Sequence, residues 1–499
     1  MTTTNQLSRT LRYLLQRLLQ RSRPPIAPPA RRAIRYFEPG QAIVLVESPD
    51  EIEPRRLQEA LRQDPLLADQ EVLRKALDQP PRRVITFPPL REQPAFALVF
   101  LDVPVDDATL IRLCDTLLER LLKPAPTGNE LTISAVSPNW LMSCAHHLGA
   151  LGGPGTHPVP DAPPPDAWRF KLPASIAQVT AQAATEVDVA ILDTAPCAHD
   201  LERAYHLWHA THPLVARLLG PGSPLRITHA SLAELIAMGG YDLARHRYPM
   251  ADHGLFAAGI IHAIAPRARL HLIEVLNQFG VGTLESVASG FQRLAQRAES
   301  SPLVVNCSLV LNMPLPEHLP KLEQRHLHWP SLTTGALEVM SRVLERLCQR
   351  LRLEQALIVA AAGNDAEPGL VPRARFPAAF ESVIGVGALR RNQAPAEYSN
   401  LSDTPVRAGY ATFGGAPLGG STPPSEGVLG IYVGPFPGGA PNTTGWARWS
   451  GTSFAAPVIS GTLAALLASG QPPATALATL EHALSGANAI GRIFPASQS

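Results

Sequence analysis

Charge is scarce in this chain of 499 residues. Asp, Glu, Lys and Arg make up 17% of it, and the formal net charge is +1. A polyanion-binding surface or an acidic tail needs an excess of one sign, so neither is expected. Long apolar runs are missing too, and no stretch suits a bilayer-spanning helix. Near the start, Leu11, Leu14, Leu15, Leu18 and Leu19 are interrupted by Arg12, Arg17 and Arg21. That interruption removes the apolar core of about 7–15 residues that a secretory signal requires. The expectation is a cytoplasmic protein. Cysteines are few and odd in number: Cys114, Cys144, Cys197, Cys307 and Cys348. Their spacing excludes a disulfide framework and predicts reduced, buried thiols. His206, His209 and His212 share a helical spacing, but Pro213 follows and no acidic or Cys partner is evident, so no metal site is expected.

What is present is apolar material and proline. Apolar residues make up 45% of the chain, ample for a large core, and 50 prolines are about twice the usual share of ~5%. The chain divides into four parts. Residues 1–33 hold a basic amphipathic helix (5–22) and a Pro/Arg linker. The helix suits packing on a neighbouring domain or partner, with a membrane surface as the other reading. Residues 34–144 read as β-α-β-β-α-β, the ferredoxin-like order. Its strands are Gln41–Glu47, Arg83–Phe87, Phe96–Val103 and Leu131–Val136. Its helices are Pro54–Arg62 and Asp106–Leu122, the second with Leu110, Leu113, Leu117, Leu118 and Leu121 on one stripe. Residues 145–169 read as a linker, with four glycines and six prolines that disfavour regular structure. Residues 170–499 alternate short apolar strands with amphipathic helices, which predicts a parallel sheet covered on both faces.

Four chemical groups sit at strand ends or helix starts of this last part. Asp193 closes the apolar strand Val189–Leu192; there a carboxylate either orients a histidine or caps a local turn. His253 opens a helix rich in small residues, Ala257, Ala258 and Gly259. At a first turn it points out of the core, or it is merely structural. Asn364 follows Ala360-Ala361-Ala362-Gly363, where an amide donates to a developing oxyanion or makes a Gly-Asn-Asp turn. Ser453 stands in Gly451-Thr452-Ser453-Phe454-Ala455-Ala456-Pro457. The helix N-terminus that follows favours an anion there, although an ordinary N-cap reads the same way. Pro457 is expected to fall near the first turn of that helix.

Order and context lift these signals above their separate readings. Asp, His, Asn and Ser appear in that order, and the surrounding motifs resemble those of the subtilisin-like serine proteases, the subtilases. The resemblance rests on Val189–Thr194, His253-Gly254 through Ala258-Gly259, Gly363-Asn364, Phe376–Phe380 with Val383–Gly387, Glu397–Asn400 and the Ser453 heptapeptide. It covers about residues 180–470. The chain departs from the family pattern at Ala195, where Gly is usual, and at Leu255, where Thr is usual.

The resemblance implies a subtilisin-like α/β fold, a parallel sheet flanked by helices. It implies a serine endopeptidase with Asp193, His253 and Ser453 as triad and Asn364 as oxyanion donor. Ser308, Leu309, Val310, Ala361 and Gly363 become the substrate-binding residues. Val310 stands where Gly is common, which predicts a narrower primary pocket. The 34–144 unit is similar to subtilase propeptides. That makes it an intramolecular inhibitor and folding chaperone of a self-processing zymogen, or else a permanent regulatory domain. The implied partners are a polypeptide substrate and the chain's own N-terminal domain, or a regulatory protein, with no nucleic acid. No cofactor is required, and Ca²⁺ enters by family resemblance alone. A catalytically inert binding protein on the same fold is the alternative function.

Overall fold

The computed structural model describes residues 36–121, 131–144, 157–240, 249–298, 303–314, 341–403, 409–419 and 421–498. The expected helix at 5–22 lies outside them. Among the described residues, no helix is long and apolar enough to cross a membrane.

The N-terminal unit is β1 (Phe37–Ser48), α1 (Pro54–Gln63), β2 (Arg83–Phe87), β3 (Ala95–Asp102), α2 (Asp107–Leu121) and β4 (Thr132–Cys144), with two short helices between α1 and β2. The strands pair antiparallel in the order β4-β1-β3-β2. Ile43 and Leu45 of β1 and Phe96 and Leu98 of β3 are buried, as are Leu57 of α1 and Leu110 of α2.

The C-terminal unit carries a nine-stranded sheet. Its strands in chain order are β7 (Val187–Asp193), β8 (Leu225–Thr228), β9 (Ala268–Glu274), β11 (Leu303–Cys307), β13 (Leu357–Ala361), β14 (Val383–Leu389), β15 (Tyr410–Phe413), β18 (Gly486–Ala487) and β19 (Arg492–Ile493). They stand in the order β18-β19-β15-β14-β13-β11-β7-β9-β8, and every pair but β18–β19 is parallel. A sheet buried on both faces needs apolar residues at every position, and β13 (Leu-Ile-Val-Ala-Ala) is buried throughout. The covering helices are α3 (His253–Ile264), α4 (Leu284–Ala298), α5 (Arg342–Leu353) and α6 (Thr452–Ala468). All 17 residues of α6 are buried, so this helix is the centre of the unit.

The two units share a sheet. β4 runs to Cys144, well past the expected end at Val136, and its last residues lie between β10 (Val281–Thr283) and β12 (Leu309–Leu311). Residues 141–144 thereby gain ladder partners on both edges. Beside this seam, Arg346 of α5 donates to Glu47 at 2.6 Å and stacks over Phe96. Arg82 bonds Glu285 at the start of α4. Part of the expected 145–169 linker is also regular. β5 (Val159–Pro160) joins β16 (Val428–Ile431) and β17 (Trp446–Trp449), and just past the linker β6 (Phe170–Lys171) pairs with β20 (Ser497–Gln498). Pairing with distant strands orders a Pro-rich stretch that has no local reason to be ordered.

The three spaced histidines do not converge. His212 is buried, accepts from Val215 N, bonds Gly445 O at 3.1 Å and stacks on Trp446, while His206 and His209 are exposed. Burial holds the His212 and His262 imidazoles down at about 4. Both are therefore neutral in the folded protein, whereas in the unfolded chain they titrate near about 6.5. Their share of stability is fully present above that value and is lost as pH falls toward 4. Thermal melts from pH 7.5 down to 4.5, set out as an order-of-magnitude window, should show Tm dropping on acidification, and His262→Leu should flatten that drop. An unchanged slope in the variant would contradict this.

Candidate active site

The site lies where β7, α3, β13 and α6 meet. Asp193 is the last residue of β7 and has no solvent exposure. A buried carboxylate needs partners, and it has them. Thr194 N donates to Oδ1 at 2.7 Å, and His253 Nδ1 lies 2.8 Å from Oδ1 and 3.0 Å from Oδ2. The close approach of α3 to β7 depends on Gly254: a Cβ there would stand 2.3 Å from Thr194 O and 2.8 Å from Asp193 Cβ. Thr194 Oγ1 also ties the chain ahead of α3, donating to Met250 O and Ala251 O.

His253 does not point into solvent. It is 2% exposed, with Trp449 edge-on at 5.4 Å and Phe454 at 5.2 Å between ring centroids. Phe454 packs in turn on Phe256 and Trp449. One aromatic cluster thus fixes the start of α6 against the start of α3. Ser453 is the second residue of α6, where backbone N–H groups lack intrahelical acceptors.

The proline in α6 has a different role from the one expected. Pro457 is the sixth residue of the helix, past its first turn. Lacking an N–H, it leaves the carbonyl of Ser453 without its i+4 donor. Ser308 Oγ takes that place, donating to Ser453 O at 2.7 Å. Asn306 Nδ2 donates to Ser308 Oγ, and Asn306 Oδ1 accepts from Ser460 Oγ. Sequence reasoning passed over Asn306 and Ser460; the signal was a polar residue inside the apolar strand Leu303–Cys307.

Asn364 follows β13. Its Oδ1 accepts from Thr452 N at 2.9 Å and from Thr452 Oγ1 at 2.8 Å. Two donors on the oxygen fix the amide orientation and leave Nδ2 to face the Gly451 side, where a Cβ at Gly451 would come within 3.4 Å of it. Thr452 was not singled out from sequence, yet it also accepts from Gly363 N through Oγ1. Ala361 ends β13, and Gly363 has φ +114, in the region that favours glycine. Leu309 and Val310 lie in β12, paired with Cys144 and Ser143 of β4.

Cys144 is an unforeseen member of the site. It is fully buried, and its thiol lies 3.9 Å from Asp193 Oδ1. Cys144, Asp193 and His253 offer atoms within 4.8 Å of one another. Burial first, and then the Asp193 charge, push the thiol well above its ordinary range, so it stays protonated.

The model of the subtilase family matches residues 236–488, half of the chain. That stretch holds His253, Asn364 and Ser453. Asp193 lies ahead of it and reaches the site through β7. The chain is 27% identical over 252 residues to subtilisin DY of Bacillus licheniformis, covering 48% of this chain and 72% of that protein. It is 30% identical over 247 residues to the subtilisin-like protease PopC of Myxococcus xanthus, covering 47% of this chain and 44% of that one. A thermostable alkaline protease of Halalkalibacterium halodurans is 28% identical over 232 residues, 45% of this chain and 48% of the relative. The chain thus spans under half the length of the latter two. It belongs to the subtilase family, a family of serine-type endopeptidases.

The bond from Ser308 to Ser453 O is testable through stability. Ser308→Ala leaves that buried carbonyl unpaired, which should cost about 1–3 kcal/mol. Chemical denaturation measures it, and an unchanged midpoint would show that the carbonyl finds another donor.

Proposed function

We propose that this chain hydrolyses peptide bonds through an acyl-enzyme formed on Ser453. The observation that carries the reading is the buried Asp193–His253 pair packed, through Phe454 and Trp449, against the helix start that bears Ser453. In the proposed reaction Ser453 Oγ attacks the scissile carbonyl and His253 takes its proton through Nε2. Asp193 holds the imidazole by Nδ1 and stays ionised. The Nδ2 group of Asn364 and the N–H of Ser453 donate to the tetrahedral oxyanion. His253 then returns the proton to the leaving amine. The proposed reaction draws on these groups of the chain and on water, and calcium enters only through family resemblance. The five free, buried thiols suit the reducing compartment expected for a cytoplasmic protein.

We further propose that the substrate adds as a strand between β10 and β12, and that β4 stands in for it. Strand addition supplies main-chain hydrogen bonds whatever the side chains are. In support, Ser143 faces Val281 on one side and Val310 on the other, and Met142 faces Gly282 and Leu311. The N-terminal unit, with its β-α-β-β-α-β order, then acts as a propeptide-like intramolecular inhibitor. Its processing region follows Cys144.

Two variants test the reading together. Purified wild type should be smaller by mass than Ser453→Ala, which should stay intact. Asn364→Ala should remain folded by circular dichroism and lose about 10²–10³ in turnover. Equal masses would make the N-terminal unit a permanent domain. Wild-type turnover in Asn364→Ala would sink the oxyanion assignment.

A further inference from the structure

We propose that the buried Asp365–Arg375 ion pair, bracketed by Asn400, positions the oxyanion donor and locks it to the strand that receives substrate. The proposal rests on the endopeptidase reading above and assigns these three as positioning residues. Asp365 directly follows Asn364. Its carboxylate takes both arms of the Arg375 fork, Nε at 2.6 Å and Nη2 at 2.7 Å. Asp365 and Arg375 are each 6% exposed. The third arm of the guanidinium, Nη1, donates to Met313 O at 2.7 Å, two residues beyond β12. The next residue, Phe376, accepts from Leu311 N at 2.7 Å, and Arg375 N donates to Ala362 O. One arginine therefore touches the loop that bears Asn364, the end of β13 and the end of β12.

Asn400 closes the loop from the other side. Its N–H donates to Gly363 O, its Oδ1 accepts from Asp365 N at 2.7 Å, and its Nδ2 donates to Asp365 Oδ2 at 3.0 Å. The residues before and after Asn364 are thus both fixed. The positive φ of Gly363 belongs to the same arrangement, since a Cβ there would stand 2.7 Å from Asn400 Nδ2. A buried ion pair adds little net stability over a well-packed apolar pair, so what this one supplies is geometry. An oxyanion donor works only when it is already in place as charge develops. Substrate aligned on β12 meets a donor held by the same arginine.

The test is a double-mutant cycle on the full chain, with a fluorogenic peptide carrying the Leu141–Cys144 sequence as substrate. Rates are normalised to sites counted with a fluorophosphonate. Expected effects are orders of magnitude: Arg375→Met lowers kcat at least about tenfold with KM within about threefold, and R375K recovers part of kcat. Added to Asn364→Ala, R375M causes no further loss, because the donor it positions is gone. Losses that multiply, a change in KM alone, or unchanged kcat with a lower Tm would overturn the proposal. If R375M does not fold, R375K carries the same cycle with the same outcomes. Full activity in Asn364→Ala would instead overturn the oxyanion assignment, and this proposal with it.

Discussion

A carboxylate with no solvent exposure at the end of a parallel strand is unfavourable unless fixed donors surround it. Asp193 is held this way, by the Thr194 amide and by His253 Nδ1. Much of the site's local construction serves that contact. Gly254 lets α3 reach the strand, Thr194 ties down the turn before α3, and Trp449 and Phe454 wall the imidazole from the side. With the imidazole fixed through Nδ1, Nε2 is the nitrogen that the proposed serine chemistry uses. The start of α6 is fixed as firmly, through the Phe454 cluster and through Thr452 bonded to Asn364. Pro457 and Ser308 show how local the adjustment is. The proline removes one helical hydrogen bond at the Ser453 carbonyl, and a hydroxyl from the strand side replaces it.

The N-terminal unit enters the same construction through its backbone. Its last strand completes the ladder between β10 and β12, and Cys144 fills the space beside Asp193 and Gly280. Arg346 and Arg82 add side-chain contacts at the flank. Main-chain pairing of this kind is indifferent to sequence, which suits a strand that stands where varied substrates are proposed to bind.

How much was legible in the sequence follows from the range of each constraint. His253-Gly254 and the Ser453 heptapeptide are short-range: their residue types are dictated by backbones a few ångströms away, so they were readable. Asp193 was readable as a carboxylate ending an apolar strand. The strand and helix alternation around the site was readable as well, since strands such as β13 are unbroken apolar runs. β4 beyond Val136 was not: Ser137, Pro138 and Trp140 pair back with β1, and residues 141–144 pair with strands about 140–170 positions further along, which no local pattern encodes, and Pro138 sits within the strand. The same holds for β5, ordered by β17. Cys144 read only as a reduced, buried thiol because its relation to Asp193 exists only once that strand is in place. Asn306, Ser460 and Thr452 were passed over because a polar residue in an apolar segment announces burial, not a partner. Whether His253 points out of the core or is merely structural stayed open in the sequence, because the aromatic residues that cover it come from two other segments.

The account turns on whether Ser453 is a nucleophile. Treating the purified full chain with a fluorophosphonate and locating the adduct by peptide mass spectrometry tests this most directly. The predicted result is a single phosphonylated residue, Ser453, with labelling abolished in Ser453→Ala and strongly reduced in His253→Ala. Absence of the adduct from a folded chain whose cleft has been freed of the N-terminal strand, or labelling that persists in Ser453→Ala, would contradict it.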